Sequence, residues 1–137
     1  MRTELRYFTK NGGTKKLAEA IAKAVDVEAK TVSTPLDRYV DALFLGTSLY
    51  GGKPSSEVLD YIEKNGKNIG KIVVFGTGKT AHPAIKAKAA SCGVKTAEMF
   101  FACPAPFLFF HKGHPDDTDC ANAAEFAQKQ LRILQMT

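Results

Sequence analysis

Apolar residues follow two patterns that alternate along this chain. Short apolar runs predict strands over residues 5–8, 27–32, 42–46, 71–76 and 96–102. Between these runs, apolar residues recur every three or four positions, which predicts amphipathic helices. The first predicted helix covers residues 14–25 and carries Leu17, Ile21 and Ala24 on one face. Three further helices are predicted to begin near Ser55 or Ser56, Pro83 and Asp116.

The order of these elements predicts the fold class. Strands that alternate with helices are typical of a parallel sheet joined by right-handed crossovers, with helices on both faces. We therefore expect an α/β protein, with a doubly wound five-stranded parallel sheet in a three-layer α/β/α arrangement. One domain is expected to span residues 1–137. Pro35 begins a short connection between the second and third strands, in which a further helix is optional. Glu4 and Arg6 depart from the pattern, because buried parallel strands are usually apolar on both faces.

Composition and charge exclude several classes of function. The chain has 137 residues, of which 45% are hydrophobic, and no apolar run reaches the length of a membrane helix. The N-terminal residues have no signal-peptide pattern, so we expect a cytoplasmic protein. The net charge is +5, but the lysines are scattered along helix patterns, which favours a solvated surface over nucleic-acid binding. Three widely spaced cysteines indicate incidental thiols.

A glycine-rich stretch between the first strand and the first helix predicts a site for phosphate. The first N–H groups of a helix have no internal partner, and the helix dipole favours an anion there. Glycines let the backbone approach a ligand, and the hydroxyl and amide side chains can bind phosphate oxygens. The candidate residues are Thr9, Lys10, Asn11, Gly12, Gly13 and Thr14. The alternative is a strand–helix turn that needs glycine only for its geometry.

Two further loops follow buried strands and should lie at the same edge of the sheet. In doubly wound sheets, ligands bind beyond the carboxyl ends of the strands, where the strand order reverses. The second loop contains Thr47, Ser48, Leu49, Tyr50, Gly51 and Gly52, and the third contains Thr77, Gly78, Lys79 and His82. Together the three loops suit a planar cofactor with a phosphate, lying between Tyr50 and the third loop. No metal site is predicted.

The residues of these loops resemble those of a known family. The segments Y-F-T-K-N-G-G-T-K-K-L-A-E-A-I-A, L-F-L-G-T-S-L-Y-G-G-K-P and V-V-F-G-T-G are similar to segments of the short-chain flavodoxins, in the same order. The resemblance implies strand order 2-1-3-4-5 and FMN as the cofactor. It implies that the first loop binds the FMN phosphate and that Tyr50 stacks on the flavin ring. The Gly51–Gly52 peptide would turn its carbonyl toward the flavin, Thr77 and Gly78 would border its pyrimidine edge, and His82 would occupy the position of a second aromatic.

The resemblance also implies a function, with alternatives. The chain would be a flavodoxin that shuttles electrons between redox partner proteins through FMN semiquinone and hydroquinone. Because the chain is basic, its partners should have an acidic docking face. One alternative is an FMN-dependent NAD(P)H or quinone reductase. Another is a cofactor-free interaction module, because Asn11 and Gly13 stand where the family usually has a hydroxyl residue and an asparagine.

One apolar segment has no assigned element. Residues 107–110 (Phe107, Leu108, Phe109, Phe110) follow Pro106 in an expected loop. They are interpreted as a segment folded over the core. The alternative is a partner or homodimer surface near the cofactor.

Overall fold

The computed structural model describes residues 1–10, 12–50, 53–77, 81–103 and 115–136, with only the backbone of Leu49 and Tyr50. The strands are β1 (Thr3–Tyr7), β2 (Ala29–Thr31), β3 (Val40–Tyr50), β4 (Lys53–Pro54), β5 (Ile69–Thr77), β6 (Lys95–Thr96) and β7 (Phe101–Cys103). The helices are α1 (Gly13–Ala24), α2 (Ser56–Asn65), α3 (Ala81–Ser91) and α4 (Asp117–Gln135), and a 3-10 turn covers Gly66–Asn68. No helix in these ranges is long and apolar enough to cross a bilayer.

The sheet has the predicted parallel topology. Its strand order is β2-β1-β3-β5, and both β6 and β7 pair in parallel with β5 at the far edge. If β6 and β7 count as one interrupted strand, the order is the expected 2-1-3-4-5. The difference is β4, a two-residue strand that pairs antiparallel with the end of β3. The prediction of a doubly wound parallel sheet is confirmed.

Alternating side chains along the strands build a core on each face of the sheet. Leu5 of β1, Phe44 of β3 and Val73 of β5 pack with α1 and α4 on one face. Leu43 and Ile72, their neighbours in sequence, pack with α2 and α3 on the other. Successive residues of a strand point to opposite faces, so strands buried on both sides must be apolar at nearly every position. The three-layer arrangement is therefore confirmed.

Side-chain caps fix where two of the helices begin. The Ser55 hydroxyl accepts a hydrogen bond from the backbone N–H of Val58, at 3.3 Å, and begins α2. Asp116 and Asp119 form a reciprocal capping box at the start of α4. Both starts agree with the sequence-based predictions, because Ser and Asp at an N-cap satisfy N–H groups that the helix cannot.

The last predicted strand is wrong at its centre. Residues 96–102 do not form one strand, because the chain leaves β5 between β6 and β7. The Ala97 carbonyl oxygen lies 3.0 Å from Nε2 of His82, and the His82 ring stacks on Phe100 with ring centroids 4.5 Å apart. His82 of α3 therefore contacts both the Ala97 carbonyl and the Phe100 ring, in the segment where the strand is interrupted.

The short connection between β2 and β3 contains no helix, so the optional helix does not form. Residues 32–39 contain turns and bends and no helix, so the crossover runs back along the sheet as irregular chain. This explains the charged residues of β1. Arg6 is only 3% exposed; its Nε donates to the Thr34 carbonyl at 2.8 Å, and its Nη1 lies 3.0 Å from a Glu4 carboxylate oxygen. On this face of β1, the Arg6 guanidinium thus donates hydrogen bonds to backbone carbonyls of the crossover.

Candidate functional site

The sheet register brings the three predicted loops together. Gly46 of β3 pairs with Tyr7 of β1 on one side and with Phe75 of β5 on the other. Two residues further along β3, Ser48 pairs with Thr77 of β5. Because the three strands are parallel, their carboxyl ends and the loops that follow lie at one edge of the sheet.

Three hydroxyl groups connect these strand ends. The Oγ1 atom of Thr14, in the first turn of α1, lies 2.5 Å from the Oγ atom of Ser48. The Thr77 hydroxyl donates to the same Ser48 oxygen at 2.8 Å. All three residues are buried. We call Thr14, Ser48 and Thr77 the hydroxyl cluster; it ties the start of α1 to the ends of β3 and β5.

A count of protons shows what the hydroxyl cluster can still donate. Thr14 and Ser48 have two O–H groups between them, and the contact between their oxygens uses one proton. The Thr77 proton already points to Ser48. Within the part of the chain that the structure describes, no other acceptor is assigned to the remaining proton. The cluster can therefore donate one O–H, which is that of Thr14 if Ser48 donates to Thr14 and that of Ser48 if Thr14 donates to Ser48.

The backbone between β3 and β5 is closely packed at this edge. Thr47 is fully buried, and its hydroxyl donates to the Ser48 carbonyl at 3.0 Å. A Cβ atom at Gly76 would overlap the Thr47 carbonyl oxygen. Glycine is needed there because no side-chain carbon fits between the two backbones.

The N-terminus of α1 differs chemically from those of α2 and α4. Its N-cap, Gly12, has φ of 88° and no side chain to cap the helix, and its N–H donates to the Thr9 hydroxyl at 3.1 Å. The first turn contains no acidic residue but has Lys15 and Lys16. Glu57 lies in the first turn of α2, and Asp117 and Asp119 lie in that of α4. Lys16 donates to the Pro115 carbonyl at 3.0 Å and lies 3.9 Å from Asp117, whereas Lys15 is exposed. A helix start with no acidic residue and an exposed lysine is suited to an anion.

Several predicted site residues lie outside the described residues. These are Asn11, Gly51, Gly52, Gly78 and Lys79, together with the side chains of Leu49 and Tyr50. Phe107, Leu108, Phe109 and Phe110 lie outside them as well. The stacking, carbonyl and dimer predictions for these residues stay predictions. Lys10 is exposed beside Gly12 at the loop.

His82 contacts Ala97 and Phe100 within the fold. It is buried in the first turn of α3, with one ring nitrogen at Ala97 and its ring stacked on Phe100. These contacts attach α3 to the segment between β6 and β7. The prediction that His82 borders a cofactor stays a prediction, and the geometry gives the residue a role in holding the fold.

Sequence reasoning missed a groove of about 770 Å³ beside the first loop. It lies between α2 and the ends of β1 and β2. Its lining consists of aromatic and aliphatic side chains with polar residues at the rim, namely Tyr7, Phe8, Thr9, Thr31, Val32, Ser33, Pro35, Glu57, Asp60, Tyr61, Lys64 and Asn65. No sequence motif marks the groove; the one available signal was the short connection that Pro35 begins between the second and third strands.

The fold and the site together define a doubly wound α/β protein in which α1 begins, without a side-chain cap, at the point where strand order reverses. Comparison of the sequence with protein families gives a match over residues 5–98 to the Flavodoxin_5 family, described as a flavodoxin domain. The match covers well over half of the chain, and the chain therefore belongs to this family. Among curated protein sequences, none is significantly similar to it.

Solved structures with the same fold include complete flavodoxins. A flavodoxin from the domain Archaea is 16% identical, with a TM-score of 0.72 over 98% of this chain and 99% of that one. Flavodoxin 1 from Bacillus cereus is 18% identical, with a TM-score of 0.70 over 96% of this chain and 98% of that one. The flavodiiron core of a Synechocystis protein is 17% identical, with a TM-score of 0.75; the match covers 98% of this chain and 36% of that one. At these identities the likeness establishes the fold.

Proposed function

We propose that this protein binds FMN at the carboxyl edge of its sheet and carries electrons between redox partner proteins. The observation that supports this most strongly is the hydroxyl cluster beside the uncapped start of α1. It combines an O–H donor, the positive end of a helix dipole and the exposed first-turn Lys15. A phosphate monoester is the anion that uses all three.

The residues present fit the phosphate end of FMN. In this proposal Thr9, Lys10, Asn11, Gly12, Gly13 and Thr14 form the phosphate loop, with Ser48 placing the Thr14 hydroxyl. Thr47, Ser48, Leu49, Tyr50, Gly51 and Gly52 border the flavin from the β3 side, with Tyr50 stacking on the ring. Thr77, Gly78, Lys79 and His82 border it from the β5 side. When bound, FMN supplies the redox chemistry, and the protein supplies position and electrostatics.

The roles of the chain's own residues follow from the geometry. The buried hydroxyl cluster keeps the two loops and the helix start in one arrangement before the ligand arrives, which lowers the ordering cost of binding. Lys10 and Lys15 are exposed beside the loop and add positive charge toward the phosphate. We propose further that the protein works as one domain in the cytoplasm. Its basic surface would favour redox partners with an acidic docking face.

Titration of the apo-protein with FMN tests the proposal, with flavin fluorescence as the signal. We expect one-to-one binding with quenching, and weaker binding of riboflavin, which lacks the phosphate. Ser48→Ala should weaken FMN binding about tenfold, because it removes the hydrogen bond between Ser48 and Thr14 and the one that Thr77 donates to Ser48. It should change riboflavin binding much less. Ser91→Ala is the matched control, since the described contacts of that exposed hydroxyl are with the Lys88 carbonyl and the Cys92 sulfur, at the end of α3.

The same titration distinguishes the alternatives. Absence of FMN binding would contradict the proposal and favour a cofactor-free interaction module. Equal affinity for FMN and riboflavin would contradict the phosphate site. If the loaded protein oxidised NAD(P)H with a quinone and without an added reductase, the reductase alternative would replace the carrier.

A further inference from the structure

We propose that the groove between α2 and the β1–β2 side of the sheet binds an amphipathic basic helix of a partner protein. This groove adjoins the proposed phosphate loop at Thr9, but a partner helix bound along α2 goes beyond the proposed function. Its walls, its fixed geometry and its charges each support this occupant.

The groove occupies the place of a helix that the crossover does not form. Residues 32–39 connect β2 to β3 without helical structure, and α2 is the nearest helix on that face. The sheet beneath is β1 and β2, the half of this face that no described helix covers. The ten residues of α2 give the wall a length of about 15 Å, which is close to three helical turns.

The lining offers apolar contact area in a preformed shape. Phe8 and Val32 are half-buried, and Tyr61 is buried among the lining residues. Pro35 is exposed at the opposite side. A groove of about 770 Å³ accommodates the apolar side chains of a short amphipathic helix, spaced at i, i+3, i+4 and i+7.

The crossover side of the groove is hydrogen-bonded directly to α2 and to β1. The Thr34 carbonyl accepts from Arg6 Nε and from the Tyr61 hydroxyl, both at 2.8 Å. Asn65 accepts from the Leu36 N–H at 3.1 Å. Burial raises the pKa of Tyr61, so its hydroxyl keeps its proton and remains a donor at neutral pH. The groove therefore does not have to be created by the partner.

Two acidic residues lie at the rim of the groove, although the chain as a whole has a positive net charge. Glu57 and Asp60 are exposed, three residues apart on α2, and thus on one side of the helix. Neither forms an ion pair with any other described residue, although the chain has a net charge of +5. Lys64, one turn further along, places a positive charge at the other end of the groove. This pattern favours a helix with cationic residues opposite Glu57 and Asp60 and suppresses binding of an acidic one.

Binding of a synthetic peptide to the full chain tests the proposal. The probe is a fluorescein-labelled peptide with Leu at i, i+3, i+4 and i+7 and Lys elsewhere, followed by fluorescence anisotropy. Two matched peptides replace every Lys by Glu, or place a proline at the centre so that no helix forms. We expect the Lys peptide to bind and both matched peptides to bind about tenfold more weakly or worse.

Charge reversal locates the binding. Glu57→Lys with Asp60→Lys should weaken the Lys peptide about tenfold. The control pair is Glu19→Lys with Glu125→Lys, which changes the net charge equally on exposed positions of α1 and α4 at the other face. Thermal unfolding verifies that both proteins fold, and hydrogen exchange should show new protection in α2 and residues 32–35.

Three results would overturn the proposal. If no Lys peptide bound at millimolar concentration, the groove would not be a helix site. If both charge-reversed proteins lost affinity equally, the attraction would be unspecific. If the proline peptide bound as tightly as the helical one, the ligand would be an extended chain or a small cation and not a helix.

Discussion

Replacement of Arg6 by methionine should destabilise the protein strongly, because this guanidinium holds the helix-free crossover to the sheet. Methionine fills a similar volume but has no donor. The substitution removes bonds from Arg6 to the carbonyls of Thr34 and Leu5, at 2.8 and 2.9 Å, and to Glu4 at 3.0 Å. A longer contact to the Pro35 carbonyl, at 3.4 Å, is also lost.

The size of the stability loss depends on which contacts Glu4 and Thr34 keep after the substitution. Breaking a buried ion pair from one side costs about 3–5 kcal/mol. Two features reduce this: Glu4 retains Arg2 at 3.3 Å, and Thr34 retains the Tyr61 hydroxyl. We therefore expect a loss of about 3 kcal/mol in the free energy of unfolding. An unfolding entropy of about 2 cal/mol/K per residue converts this to a fall of about 10 °C in Tm for a chain of this length.

Urea denaturation followed by far-UV circular dichroism measures the loss directly. The control is Arg38→Met, because Arg38 is largely exposed and reaches Asp37 only at 3.8 Å; it should change stability by less than about 0.5 kcal/mol. If Arg6→Met were as stable as Arg38→Met, the guanidinium would not hold the crossover, and the account of the groove wall would also fail.

Two further predictions concern the core. Gly46→Ala should lower the free energy of unfolding by about 1–3 kcal/mol, because its Cβ would overlap the ring of Phe75. In a double-mutant cycle, Phe75→Leu should recover part of this loss. Strictly additive effects of the two substitutions would contradict the overlap. Cys103 should resist iodoacetamide in the native protein, because burial raises the pKa of its thiol to about 12 and leaves little thiolate at pH 8. Mass spectrometry should show it labelled far more slowly than Cys92 and at a similar rate in urea; equal native rates would refute the burial argument.

The sequence predicted most of the fold from local patterns. Continuous apolar runs such as residues 71–76 had to be strands buried on both faces, and Ser55 and Asp116 identified helix starts by their capping chemistry. Alternation of these elements then predicted a parallel three-layer protein. These features depend on neighbours within a few residues, which is why periodicity and caps are sufficient to find them.

The sequence also identified the loops that meet at the site but not how their side chains join. Thr14, Ser48 and Thr77 were each candidates on account of their loops. That their hydroxyls form one cluster depends on the register of β3 against β5 and on the position of α1. Contacts between residues 29 and 34 positions apart have no signature in a local pattern.

Tertiary structure alone decided three features of this protein. The crossover between β2 and β3 is irregular because Arg6, Tyr61 and Asn65, from two other elements, satisfy its backbone. The last strand is interrupted because His82 reaches Ala97 and Phe100 from α3. The groove exists because a helix is missing beside α2. Local sequence determines which helices and strands can form. Long-range hydrogen bonds and packing determine where irregular chain takes their place, and therefore where a groove remains at the surface.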